Sequence, residues 1–141
     1  MPSLQTIQCP EAPVALGNYS HAVAWGDLVI VSGIASRDAQ TNRVPGLELD
    51  RQGRKLRYDI RAETRATLRN IERILHTAGS ALDHVLEVNS YLLDMNDFAA
   101  YNEVFAEFFP RHRPARTTIA VAGLPGDISI EMKVIAVRTH G

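Results

Sequence analysis

The chain has 141 residues, 45% of them hydrophobic and 22% charged, with a formal net charge of −1; this is enough apolar material for one core, and one domain over residues 1–141 is expected. The near-neutral balance offers no basic surplus for a phosphate backbone, which argues against a nucleic-acid partner, and no apolar stretch is long enough to span a bilayer. Cys9 is the only cysteine, so an internal disulfide is excluded, and Met1-Pro2-Ser3-Leu4-Gln5 lacks the basic-then-apolar pattern of a secretory signal; the expected location is the cytoplasm.

Leu4 to Cys9 alternates weakly, as an edge strand does, before Pro10 and Pro13 break it. Leu16-Gly17-Asn18-Tyr19-Ser20 reads as a turn. Ala22 to Trp25 and Leu28 to Ser32 read as two strands joined at Gly26-Asp27. The second is apolar on both faces over Leu28-Val29-Ile30-Val31, which predicts a central position. Gly33 to Arg57 is polar and irregular, with a small hairpin expected between Leu47-Glu48-Leu49 and Lys55-Leu56-Arg57.

Asp59 is placed to cap a helix whose buried face is Ile60, Thr64, Thr67, Leu68, Ile71, Leu75 and Ala78. Arg61, Arg65, Arg69 and Arg73 recur on another face with Glu63 and Glu72 interleaved, a pattern read as a solvated face partly neutralised by carboxylates. Gly79 ends that helix. Val85 to Leu93 predicts a strand. Asp97 is a plausible cap for a second helix with an aromatic stripe, Phe98, Tyr101, Phe105, Phe108 and Phe109, that Pro110 stops. Thr117 to Val121 and Ile128 to Val137 predict the last strands. Several strands and two helices in this order point to an α+β layer with helices on one sheet face, and a homo-oligomer is the natural cover for the other face.

Familiar chemical motifs are missing. The five histidines, His21, His76, His84, His112 and His140, have no local metal-ligand spacing and no cysteine partner. No glycine loop fit to cradle phosphates opens a helix, and Gly-x-Ser-x-Gly is absent.

Pro114-Ala115-Arg116-Thr117-Thr118, Gly123-Leu124-Pro125-Gly126 and Ile128-Ser129-Ile130-Glu131-Met132-Lys133-Val134-Ile135-Ala136-Val137 resemble the reactive intermediate deaminase (Rid/YjgF) family. Leu16-Gly17-Asn18-Tyr19-Ser20, Val31-Ser32-Gly33, Met95-Asn96-Asp97-Phe98 and Tyr101-Asn102 add to the match, in family order. The resemblance implies a chorismate-mutase-like α+β fold, a mixed sheet with two helices on one face. It also implies a homotrimer with clefts between subunits, and deamination of enamines and imines without metal or organic cofactor. By motif position Arg116 corresponds to the arginine that grips the substrate carboxylate and Glu131 to the acid that positions water. Tyr19, Ser32, Gly33 and Asn102 match cleft-lining positions.

Ser32-Gly33 with Ser36-Arg37, the lengthened loop, Asp59 to Ala66 and Tyr101-Asn102-Glu103-Val104 are most similar to the 2-aminomuconate deaminase branch, which acts in bacterial aromatic degradation. Thr118 stands where the wider family often has cysteine, and Lys133 where another glutamate is common. Both join the expected substrate-binding set, with Arg37 as a second anchor for a longer dicarboxylate. The leading expectation is hydrolysis of 2-aminomuconate with release of ammonia. A broad-range deaminase of 2-iminobutanoate, 2-iminopropanoate and 2-aminoacrylate is the alternative, followed by a non-catalytic small-ligand sensor and, against the charge balance, an RNA-directed activity.

The residue types suit that chemistry. A guanidinium holds a carboxylate by two parallel hydrogen bonds, fixing distance and plane together. Water addition needs a group to take a proton and ammonia loss needs one to return it, which one carboxylate of raised pKa can do. By alternation Glu131 points away from Ile130 and Met132, on one face with Ser129 and Lys133. Lys133 would either lower the pKa of Glu131 or bind a second substrate carboxylate. By residue type alone Arg116 is a surface-loop arginine and Glu131 the solvent side of an edge strand; the ordered motif set makes them candidates.

Overall fold

A computed structural model describes residues 1–139 of the chain; His140, the last of the five histidines, lies outside them. The strands are β1 (Leu4–Ile7), β2 (Ala22–Trp25), β3 (Leu28–Ile34), β4 (Glu48–Leu49), β5 (Lys55–Arg57), β6 (Val85–Leu92), β7 (Ala115–Ala120) and β8 (Ile130–Val137), with helices α1 (Ile60–Thr77) and α2 (Phe98–Phe108). Six strands make one sheet in the order β1-β2-β3-β8-β6-β7. Among the described residues only β6 and β7 pair in parallel, joined by α2 as the crossover that parallel neighbours require. The last strand enters the middle of the sheet, antiparallel to both β3 and β6. Glu131 therefore sits on an interior strand, contrary to the edge position its residue type alone suggests.

Both helices cover one face. Ile130, Met132, Val134 and Ala136 alternate inward from β8 and are fully buried with Leu68, Ile71, Ile74 and Leu75 of α1. Each large side chain of this set contributes about 1.5–3 kcal/mol by leaving water. The opposite face is bare. Although β3 is interior, Leu28 and Ile30 are exposed there, with Trp25 of the adjacent β2 and Ile119 of the far edge strand β7.

The Asp59 carboxylate accepts the Ala62 N–H at 3.0 Å and caps α1, and Gly79 follows the helix with φ +82°. The arginine row is solvated, and its neutralising carboxylates come from α2. Arg61 pairs with Glu103, and Arg65 with Glu107 at 2.9 Å. Glu63 does not interleave on that face; it is fully buried, because it lies three residues after Ile60 and four before Thr67 on the apolar stripe.

Asp97 also departs from expectation. Its side chain caps nothing and instead accepts the Tyr58 hydroxyl at 2.6 Å. The carboxylate that caps this turn belongs to Asp94, which accepts the Asn96 N–H. The expected excursion hairpin forms as β4 and β5, closed by Asp50, which accepts three bonds from Gln52 and Arg54.

Candidate active site

The centre of interest is a break in the β3–β8 ladder. Pairing runs in register to Val31↔Val134 and resumes at Ile34↔Met132, so the backbone bulges at Ser32-Gly33. The bulge is held on one side by β2's approach: Ser32 N–H donates to the His21 carbonyl at 2.9 Å, and its hydroxyl to the Ser20 carbonyl at 2.6 Å. Gly33 lies directly under the Glu131 carboxylate. A Cβ there would meet Glu131 Oε2 at 2.5 Å, so the carboxylate occupies the space that any other residue would fill.

Glu131 faces a cavity of about 220 Å³ that Tyr19, His21, Gly33 and Arg37 also line. It has no hydrogen-bond or ion-pair partner among the described residues, and burial alone pushes its carboxyl above the ordinary glutamate range. Lys133, two residues along on the same face, is half-buried and does not offset that burial. It is thus no counter-ion to Glu131 in the single chain. Tyr19 is 46% exposed at the cavity wall, with its hydroxyl oxygen accepting the Leu16 N–H at 3.2 Å. Arg37 donates to the Val14 carbonyl at 3.0 Å and to Asn42 Oδ1. Asn42 has a left-handed φ of 60°, which asparagine tolerates better than most residues.

The second group sits elsewhere. Arg116 lies on the edge strand β7, its Cζ 4.6 Å from the Phe105 ring centroid, 5.2 Å from Tyr101 and 5.7 Å from Phe98. Ring faces orient the guanidinium, and its N–H fork has no acceptor among the described residues. Thr118 Oγ1 lies 2.8 Å from the Tyr101 hydroxyl, which donates to Ser90 Oγ at 2.7 Å. Thr118 thus fixes the ring beneath Arg116. Asn102 is exposed, one residue beyond Tyr101 on α2.

One chain does not bring the two groups together. Arg116 pairs with Val88 and Val88 with Val134, both buried beneath the helices, whereas Glu131 pairs with Tyr91. Paired residues share a face, so Arg116 is on the helix side and Glu131 on the bare side. Ser129 departs from the expected face as well. It precedes the regular strand, is fully buried, and its N–H donates to Glu63 Oε1 at 2.9 Å on the helix side.

Two residues around the cavity escaped the sequence reading. His21 accepts the Cys9 N–H at Nδ1 (2.9 Å), which places its proton on Nε2, the donor to the Pro13 carbonyl at 2.7 Å. That neutral ring clamps the segment that walls the cavity; the only signal was its place next to the Tyr19-Ser20 turn. Glu63 is the other, and its position on the apolar stripe was a readable signal. Among the described residues no three His, Cys, Asp or Glu side chains group to hold a metal ion, and no helix is long and apolar enough to cross a membrane.

The six-stranded mixed sheet, the two helices on one face and the bulge-seated carboxylate define a two-layer α+β protein with a glutamate in its cavity wall. The family model described as Endoribonuclease L-PSP matches residues 9–138. A 2-iminobutanoate/2-iminopropanoate deaminase of Escherichia coli strain K12 is 34% identical over 137 residues, covering 95% of this chain and 98% of the relative. A RutC family protein of Pyrococcus horikoshii is 37% identical over 134 residues, 95% of this chain and 98% of the relative. The crystal structure of the E. coli YjgF gene product superposes with a TM-score of 0.83 at 33% identity, covering 96% of this chain and 99% of that one. The chain belongs to the L-PSP endoribonuclease family, the Rid/YjgF family.

Proposed function

We propose that this protein hydrolyses small 2-imino and 2-enamino carboxylates to the corresponding 2-oxo acids and ammonia, without metal or organic cofactor. The observation that carries the reading is the Glu131 carboxylate, half-buried over Gly33 in a cavity, with no partner among the described residues and a raised pKa. An enamine first tautomerises to the imine; from the protonated imine, such a group takes a proton from water as its oxygen adds to the C=N carbon, returns it to the amino nitrogen of the carbinolamine, and takes up the hydroxyl proton as the C–N bond breaks. The oxygen of water stays on carbon and the nitrogen leaves as ammonia. Arg116, with its fork free, holds the carboxylate beside the reacting carbon. The name of the E. coli relative, a 2-iminobutanoate/2-iminopropanoate deaminase, supports this substrate class.

Because Arg116 and Glu131 lie on opposite faces of one chain, the reading requires a site between copies. Glu131, Gly33, Ser32 and Tyr19 come from one subunit, and Arg116, Asn102 and Thr118 from its neighbour, within a cytoplasmic homotrimer. The exposed Trp25, Leu28 and Ile30, on the same bare sheet face as Glu131 and Lys133, support that assembly. The test is ammonia release from freshly generated 2-iminobutanoate, followed against spontaneous hydrolysis. Acceleration supports the reading, and saturable binding without ammonia would replace it with a ligand sensor.

A second reading, 2-aminomuconate as the preferred substrate, is favoured by one observation. The cavity shares Leu16, Arg37, Pro125 and Ile128 with an adjoining space of about 540 Å³ that Arg43, Val44, Leu47 and Leu49 also line. A six-carbon diacid would extend along that apolar lining with its second carboxylate near Arg37. Relative kcat/KM on the two substrates decides between the readings.

A further inference from the structure

We infer that Glu63 is a positioning residue for Glu131, tying together two chain segments that line the cavity. The inference rests on the deaminase reading for its kinetic consequence and on geometry alone for the rest.

Glu63 is fully buried in the helix layer, and its Oε2 has no hydrogen-bond partner among the described residues. A carboxylate in such a place costs stability unless it is held. What holds it comes from two distant segments. The Ser129 N–H donates to Oε1 at 2.9 Å, and the Ser36 hydroxyl donates to the same oxygen at 3.2 Å. Ser36 is the residue before Arg37, and Ser129 lies between Ile128 and Glu131; Arg37, Ile128 and Glu131 all line the cavity. One carboxylate oxygen therefore bridges the residues just after β3 and just before β8, outside the last ladder pair Ile34↔Met132 and next to Arg37 and Glu131.

A third segment joins at the same point. Lys55, from the excursion hairpin, donates from Nζ to Ser129 Oγ at 2.5 Å and stands 4.6 Å over the Tyr58 ring. Burial holds the Glu63 carboxyl above the ordinary glutamate range, and the Ser129 hydrogen bonds and then the lysine charge offset part of that rise. Ser129 is thus gripped from its backbone by Glu63 and from its hydroxyl by Lys55, two residues before the catalytic candidate. An apolar residue at 63 would serve the core better; a carboxylate there makes sense as a tether.

Two substitutions separate reach from charge. Glu63→Gln keeps the length and an acceptor oxygen but loses the charge. Glu63→Asp keeps the charge but is one methylene shorter and cannot span Ser36 and Ser129 together. Positioning predicts that the folded Asp variant loses about 10- to 100-fold in kcat, as a misplaced proton-transfer group does, with KM within about twofold. The Gln variant stays within about threefold of wild type in kcat. The activity-independent readout is a carbon-13 NMR titration of the Glu131 carboxyl in the full chain. Its midpoint falls toward the ordinary glutamate value, about 4.3, in Glu63→Asp as Glu131 loosens into solvent, and stays put in Glu63→Gln. The charged groups on the cavity side, Arg37 and Lys133, are untouched in both.

Should Glu63→Asp prove insoluble, Ser36→Ala removes one of the two anchors and gives the same direction at smaller size. Loss of kcat in Glu63→Gln with Glu63→Asp active would overturn positioning in favour of a charge effect. Folded Asp and Ser36 variants with wild-type kcat and an unmoved Glu131 midpoint would reduce Glu63 to a core residue. A wild-type protein that releases no ammonia, yet shows the Glu131 midpoint moving only in Glu63→Asp, would sink the deaminase reading and leave the tether standing.

Discussion

The Glu131 cavity and the Arg116 edge are built by opposite means. At Glu131 the backbone sets the environment: a bulge, a missing Cβ at Gly33 and a clamped loop make a half-dry niche and leave the carboxylate without a partner among the described residues. At Arg116 side chains do it. Three rings of α2 steady a guanidinium on an edge strand, and Thr118 and Ser90 lock the middle ring through its hydroxyl. The first environment shifts a proton equilibrium, and the second orients a charge that needs no shift. Their placement on opposite faces of one sheet means that each half is prepared separately within the chain, and on the proposed reading another copy completes the pair.

The widest separation between the two regions should appear in steady-state ammonia release. Replacing Glu131 by Gln removes the proton carrier and leaves shape, so kcat should fall about 100-fold or more with KM little changed. Arg116→Ala should cost about 10- to 100-fold in kcat/KM, mainly through KM, as expected for a lost charge-assisted hydrogen-bond pair. Equal effects on kcat from both would erase the division of labour.

Gly33→Ala sharpens the contrast from the cavity side. The added methyl collides with Glu131 Oε2, so kcat should drop about tenfold while the melting temperature moves little, and the same exchange at Gly123, where nothing lies within 4 Å of the new Cβ, should leave kcat alone. Mixing subunits tests where the halves meet. Arg116→Ala and Glu131→Gln chains, unfolded together and refolded, should recover about a quarter of wild-type activity if each site takes one residue from each of two copies, since random assembly leaves that share intact. No recovery would return both residues to one chain.

The smallest effect is in stability against pH. The Glu131 carboxyl is raised in the folded chain, so the folded state binds its proton more tightly than the unfolded state does. Stability is then lost as pH rises from the ordinary glutamate value through the raised one. Glu131→Gln should melt higher than wild type at neutral pH, and the gap should close on acidification. The acidic limb of the wild-type kcat/KM profile should lie above the ordinary glutamate range and vanish in that variant.

Much of the frame was legible in the chain. Asp59, the apolar spacing from Ile60 to Ala78 and Gly79 mark α1 at both ends, because capping and periodicity act over a few residues. The excursion hairpin announced itself in Asp50 and Gly53. Reading failed where a polar residue answers to something far away. Asp97 caps nothing since Tyr58 takes its carboxylate, Ser129 turns to Glu63 instead of following Glu131, and Glu63 looks like a helix-surface charge until the stripe is read through it.

The sequence by itself determined the elements, their core faces and, through its motif set, the family and the candidates Arg116 and Glu131. Those follow from local propensity and spacing, which neighbours in the chain can enforce. Tertiary structure alone decided that β8 slots between β3 and β6, that the ladder breaks over Gly33, and that Arg116 and Glu131 face opposite ways. Sheet order and register depend on pairings between residues dozens of positions apart, and which face a side chain takes is settled only when those pairings close.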